Sequence, residues 1–126
     1  MSIDLLKEGV KVVFYVVKRN DRCAFREFVD GLQLTDRKKV LALLDRTLRV
    51  DIPKNKQKFK HLEDGIYEFK SDKIRLLGFF LENEIKKSFV FVECFRKQKR
   101  WADKNVIDRV KKIREEELGG EDRHER

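Results

Sequence analysis

The chain has 126 residues, 40 % of them hydrophobic and 43 % charged, with ten phenylalanines and a single proline. A length in the range of about 100 to 150 residues fits one core rather than several domains, and the apolar content excludes a chain disordered throughout. Lys plus Arg outnumber Asp plus Glu by 31 to 23, a net charge of +8 that favours a polyanionic partner, because such a surface attracts phosphates and releases their counterions.

Residues 11–17, Lys-Val-Val-Phe-Tyr-Val-Val, form a β-branched and aromatic run too short for a buried helix and read as an interior strand, ended by Asn20 and Asp21. From Cys23 the spacing of Phe25, Phe28, Val29 and Leu32 predicts a helix, with Asn20 or Asp21 as its cap and Gly31 as its stop. A second helix follows, with Thr35 as N-cap, Asp36 at the positive end of the dipole, and Val40, Leu41, Leu44 and Leu48 at helical spacing up to about Arg49. Pro53 closes this helical hairpin. Residues 54–61 hold four lysines and one aromatic and read as an exposed loop, which leads into a turn at Asp64-Gly65. Residues 66–70, 74–81 and 88–95 predict an antiparallel meander whose last two strands are central. A final helix begins near Asp103, carries Val106, Ile107, Val110 and Ile113 on one face, and ends before Gly119-Gly120. The expected order is β-α-α-β-β-β-α, one α+β domain over residues 1–118 in which a small antiparallel sheet packs with an N-terminal helical hairpin and a C-terminal helix. Residues 119–126 are expected as a flexible tail.

The two cysteines, Cys23 and Cys94, fall in a helical and a strand pattern and are expected as buried thiols in a reducing compartment. No Cys or His pair stands at ligand spacing, so neither a metal site nor a cofactor is expected. The N-terminal Met-Ser-Ile-Asp is acidic at once and no apolar run is long enough for export or for a membrane span. A cytoplasmic protein without a membrane partner is the expectation.

Two basic clusters flank the meander. One is Lys54, Lys56, Lys58 and Lys60; the other is Arg96, Lys97, Lys99 and Arg100, followed by Trp101. Between them Glu68 and Lys70 occupy alternate positions of one strand and so share a face, with Arg75 near the start of the next strand. Exposed lysines usually do no more than solvate a surface and discourage edge pairing. Arg75, inside an apolar strand, requires either an ion pair with Glu68 or a ligand. His61 is a surface residue or a general acid or base, and Trp101 is a lid on the last helix or a platform for a base. RNA cleavage needs no metal: the 2′-OH attacks its own phosphate when one group removes its proton, another protonates the leaving oxygen, and cations stabilise the phosphorane. The candidates for that chemistry are Glu68, Lys70, Arg75, Lys97 and His61, with the remaining basic residues and Trp101 as RNA contacts.

Residues 58–70 (Lys-Phe-Lys-His-Leu-Glu-Asp-Gly-Ile-Tyr-Glu-Phe-Lys), 73–80 (Lys-Ile-Arg-Leu-Leu-Gly-Phe-Phe) and 91–99 (Phe-Val-Glu-Cys-Phe-Arg-Lys-Gln-Lys) together resemble the RelE/ParE toxin superfamily, above all its phage-type HigB-like branch. Members show a leucine and a glycine before an aromatic-Glu-Leu-Arg strand, then an arginine-containing strand ending in aromatics, then a Phe-x-Lys-Lys turn before a last helix. The likeness spans roughly residues 11–115. It implies a type II toxin: an endoribonuclease that cuts messenger RNA, often on the ribosome, and is neutralised by a small antitoxin encoded beside it. It also implies that Lys70 and Arg75 take the places of two strand arginines at the phosphate, that Arg96, Lys97 and Lys99 form the basic turn, and that Glu68 fills the acidic position of the aromatic-Glu motif, where a structural role, orienting Arg75 through a charge-assisted bond, stands beside a catalytic one. Where many active members carry a tyrosine or histidine near the last strand or C-terminus, this chain has Trp101 and His124. Other readings of the same chain are a ParE-like gyrase inhibitor, an inactive phage-derived relic, and a non-catalytic nucleic-acid-binding module. An RRM is disfavoured because no helical spacing fits between the last three strand runs.

Overall fold

The computed structural model describes residues 2–98 and 104–124, the stretch 119–124 by its backbone alone. Six strands, β1 (Ser2–Glu8), β2 (Val12–Lys18), β3 (Phe59–Glu63), β4 (Ile66–Ser71), β5 (Ile74–Leu81) and β6 (Lys87–Arg96), form one sheet in the order β1-β2-β6-β5-β4-β3. The helices α1 (Ala24–Asp30) and α2 (Leu34–Arg49) fall between β2 and β3 in the chain, and α3 (Lys104–His124) follows β6. All pairings are antiparallel except β2 with β6, which is parallel.

The long apolar runs are explained by burial on both faces of the sheet, the usual reason for a strand to lose its polar alternation. On one face Val12, Phe14 and Val16 of β2, Phe69 of β4, Leu76 of β5 and Phe89 and Phe91 of β6 meet Phe25 and Val29 of α1 and Val40, Leu44 and Leu48 of α2. On the other face Val17, Ile66, Leu77, Phe79 and Val90 meet Val106, Ile107 and Val110 of α3. Phenylalanines dominate the first core, with Phe25 stacked on Phe91 at 4.6 Å and Phe14 edge-on to Phe69 at 5.7 Å.

The α+β class, the helical hairpin, the meander with β5 and β6 in the interior, and the apolar face of α3 agree with the sequence reading. Other expectations require correction. The sheet is mixed and six-stranded, not small and antiparallel, because β6 inserts between β5 and β2 and meets β2 in parallel. The strand β1 has no counterpart in the expected order: its residues alternate poorly because an edge strand buries little, and it is held by Ser2-to-Glu8 pairing with β2 and by a turn in which Gly9 N–H donates to the Val12 carbonyl at 2.8 Å. Gly9 is required there, since a Cβ would lie 2.4 Å from the Leu48 carbonyl oxygen at the end of α2. The lysine-rich stretch is not all loop. Phe59 stacks on Tyr67 at 5.2 Å and packs against Phe69 at 4.7 Å, and these ring contacts draw residues 59–63 onto the sheet edge as β3.

Neither predicted helix cap is used. The N-caps are Cys23 and Gln33, neither with a side-chain cap bond, while Asn20 and Asp21 adopt positive φ in the turn between Arg19 and Arg22, and Thr35 lies inside α2. The helix α3 runs through Gly119 and Gly120 to His124, past the stop expected before them. Both cysteines are free and half-buried, and no helix among the described residues is long and apolar enough to cross a membrane.

Candidate functional site

In antiparallel sheets residues opposite one another share a face, so the register of β3, β4 and β5 determines which charges meet. Lys60 lies opposite Glu68, Glu68 opposite Leu77, and Lys70 opposite Arg75, which itself lies opposite Phe95 of β6. All of these project on the α3 side of the sheet, since Leu77 belongs to that core. Lys97 joins them, because its N–H donates to the Lys73 carbonyl at 2.7 Å and continues the β5–β6 pairing beyond Arg96.

At the centre Glu68 and Arg75 are buried, their side chains 7 % and 11 % exposed, with Arg75 Nε 3.8 Å from Glu68 Oε1. That separation is a charge contact rather than a hydrogen bond. The hydrogen bonds of Arg75 go to the backbone of its own turn: Nη1 donates to the carbonyls of Asp72 at 2.6 Å and Ile74 at 3.0 Å. Arg75 therefore sits beneath the surface as a structural cation, paired with Glu68, while Lys60 is exposed and Lys70 and Lys97 are half-exposed. Burial pushes the Glu68 carboxyl up from the ordinary carboxylate range, opposed by Arg75, Lys70, Lys60 and Lys97. Burial pushes the Lys70 ammonium down; Glu68 opposes this, while Arg75, Lys60 and Lys97 add to it by repulsion. The result is a buried anion ringed by four cations, three of which are lysines open to solvent.

The other sequence candidates lie elsewhere. His61 is opposite Tyr67, on the face away from Glu68; its Nε2 accepts the Gly65 N–H at 3.2 Å and its ring lies 4.9 Å from that of Tyr67. The fold thus separates His61 from Glu68, Lys70, Arg75 and Lys97. Arg96 also faces away and binds Asp36 of α2 at 2.7 Å. Lys54, Lys56 and Lys58 are exposed and precede β3, where the Lys58 carbonyl accepts the Lys70 N–H at 2.8 Å. Lys99, Arg100 and Trp101 lie outside the described residues, as does the side chain of His124.

Two features escaped the sequence reading. Lys60 belongs to the immediate ring, which only its strand register reveals, and half-buried Phe95 shares the face of Arg75. Strand alternation from Phe59 onward was the available signal for the first. Many remaining cations of this face are already paired: Lys104 and Lys111 bind Glu63, Lys111 also binds Asp64 at 2.7 Å, and Arg109 binds Glu93 at 2.6 Å. Among the described residues no group of three or more His, Cys, Asp or Glu side chains is placed to hold a metal ion.

No protein-family model matches the chain, and no curated protein matches it significantly.

Proposed function

We propose that this chain is a RelE/HigB-like type II toxin, an endoribonuclease that cuts messenger RNA in the cytoplasm without a metal and is restrained by an antitoxin over its basic face. The observation that carries this reading is the ring of Lys60, Lys70 and Lys97 above the buried Glu68–Arg75 pair. A chain order of interior strand, helical hairpin, strand meander and final helix, which the resemblance implies, also supports it once the edge strands β1 and β3 are set aside.

In this mechanism Lys60 and Lys97 hold the oxygens of the scissile phosphate, and the buried Arg75 adds positive charge from below as the phosphorane forms. Lys70, its ammonium destabilised by burial, spends more time as a free amine than an exposed lysine and takes the 2′-OH proton. The leaving 5′ oxygen receives its proton from Lys97. Glu68 does not touch RNA; it balances Arg75 and sets the basicity of Lys70.

A second reading has one observation in its favour. With His61 on the opposite face, the ring holds no imidazole, so a module that binds nucleic acid without cutting it also fits the geometry. Induced expression of wild type and Lys70→Ala in bacteria, with primer extension on several messages, separates the readings. The nuclease predicts growth arrest and new RNA ends with wild type alone. Arrest without new ends points to a gyrase-inhibiting protein, and absence of arrest to a binding module or a relic.

A further inference from the structure

The two edges of the sheet are unlike each other. The β3 edge is five residues long and carries Lys60, with Lys58 just before it, like charges that repel an incoming strand of the same kind. The β1 edge is seven residues long, bears Asp4, Lys7 and Glu8, and exposes Leu5 at 56 %. Among the described residues no strand pairs with its outer side.

The bulge in β1 orders its charges. Pairing with β2 passes from Leu5 opposite Tyr15 to Lys7 opposite Phe14, so Leu6 is the extra residue. Asp4, opposite Val16, and Lys7, opposite Phe14, consequently share the face of the helical hairpin. Ile3, Leu5 and Glu8, opposite Val17, Tyr15 and Val13, share the other.

A second copy of β1 laid antiparallel about a twofold axis at Leu5 is self-complementary in this register. Leu5 meets Leu5 of the second copy, and with Leu6, packed against the hairpin-side core, skipped in this ladder as it is against β2, Asp4 of each copy meets Lys7 of the other on the same face. Ile3 meets Glu8. Moving the axis by one position in either direction sets Asp4 against Asp4 or Lys7 against Lys7, and like charges directly opposite are unfavourable. Glu8 is already engaged by Lys86 at 2.5 Å, whereas no ion pair of Asp4 or Lys7 is found among the described residues.

We propose that the β1 edge is a self-association surface, joining two copies antiparallel through Leu5 into one continuous sheet. The bulge and the mixed charges that deter other strands are the features that select this partner. The proposal is independent of the ribonuclease reading. Since β3, β4 and β5 lie at the far end of the sheet, both lysine rings remain open in the pair.

Sedimentation equilibrium of the full chain tests it. Wild type is expected to be a dimer. Asp4→Lys and Lys7→Asp each set like charges opposite one another twice and should each raise the dissociation constant roughly tenfold or more, with unchanged circular dichroism. An equimolar mixture of the two single variants has complementary charges at both positions and should recover the dimer, as should the double variant D4K/K7D. Wild type that stays monomeric at millimolar concentration, a species larger than a dimer, or a mixture no tighter than its components would each overturn the proposal.

Discussion

Arg75 and Lys70 stand opposite each other across β4 and β5, yet their surroundings give them different work. Arg75 is bound to the carbonyls of its turn and lies beside a buried carboxylate, so its removal leaves Glu68 as a lone buried charge. Arg75→Ala is expected to destabilise the fold by about 3 kcal/mol in urea unfolding, whatever it does to activity. Lys70 is half-exposed and makes no comparable bonds among the described residues. Lys70→Ala is expected to change the urea midpoint little and, if the proposed ribonuclease reading holds, to lower cleavage of a model RNA by about 100-fold or more.

Lys70 and its neighbour Glu68 together set a pH dependence. If Lys70 acts as base, kcat/KM rises with pH as its ammonium deprotonates, and burial places that rise below the ordinary lysine range. Glu68 opposes the downward shift, so Glu68→Gln should move the rise to lower pH still. A pH profile of the variant that coincides with wild type would remove Lys70 from the role of base.

At the scale of elements, α3 is fastened to the sheet by a modest apolar stripe and by ion pairs at its edge. Glu63, at the end of β3, accepts from Lys104 and Lys111, and these hydrogen bonds pull its carboxyl down to about 2. A lowered carboxylate pKa contributes stability that is present above the ordinary value of 4.5 and is lost as the pH falls through about 2. Protection factors along α3, corrected for the intrinsic exchange rate, should therefore fall across that window, and Glu63→Gln should lower them and remove this pH dependence. The contact between β5 and β6 is of another kind. A Cβ on Gly78 would lie 1.8 Å from the Val90 carbonyl oxygen, at the bulge where the register shifts between Leu77 and Gly78. Because both strands are interior, neither backbone can retreat, and Gly78→Ala is expected to cost about 3 kcal/mol or more, seen as lost solubility or an early thermal transition.

For the molecule as a whole, what matters is how its charge is distributed. Among the described residues, Lys104, Lys111 and Arg109 of α3 are engaged by Glu63, Asp64 and Glu93, whereas Lys60, Lys70 and Lys97 surround Glu68 and, on the proposed reading, meet phosphates. Three such contacts predict a slope of about −2 for log affinity against log salt on single-stranded RNA, and each Lys→Ala change within the ring should reduce it by about 0.7. Lys54→Ala, outside the ring, should leave the slope nearly unchanged.

Local pattern was enough to reveal the α+β class, the helical hairpin, the meander and the interior position of β5 and β6, because apolar spacing reports burial directly. It also placed Glu68 and Lys70 on one face, since strand alternation is a local property. It did not reveal β1 or β3, whose residues are half in water and whose pairing depends on partners already in the sheet. Nor could it reveal that β6 lies parallel to β2, a contact between residues more than seventy positions apart. The separation of His61 from Glu68 follows from one step of register, and the capture of Arg96 by Asp36 follows from how the hairpin docks. By itself the sequence determined which segments are buried and that the chain is cationic. Which of those cations are spent on neighbouring carboxylates, and which ring a buried anion and remain available, was decided only by the tertiary structure, because charges separated along the chain acquire partners only when the strands assemble.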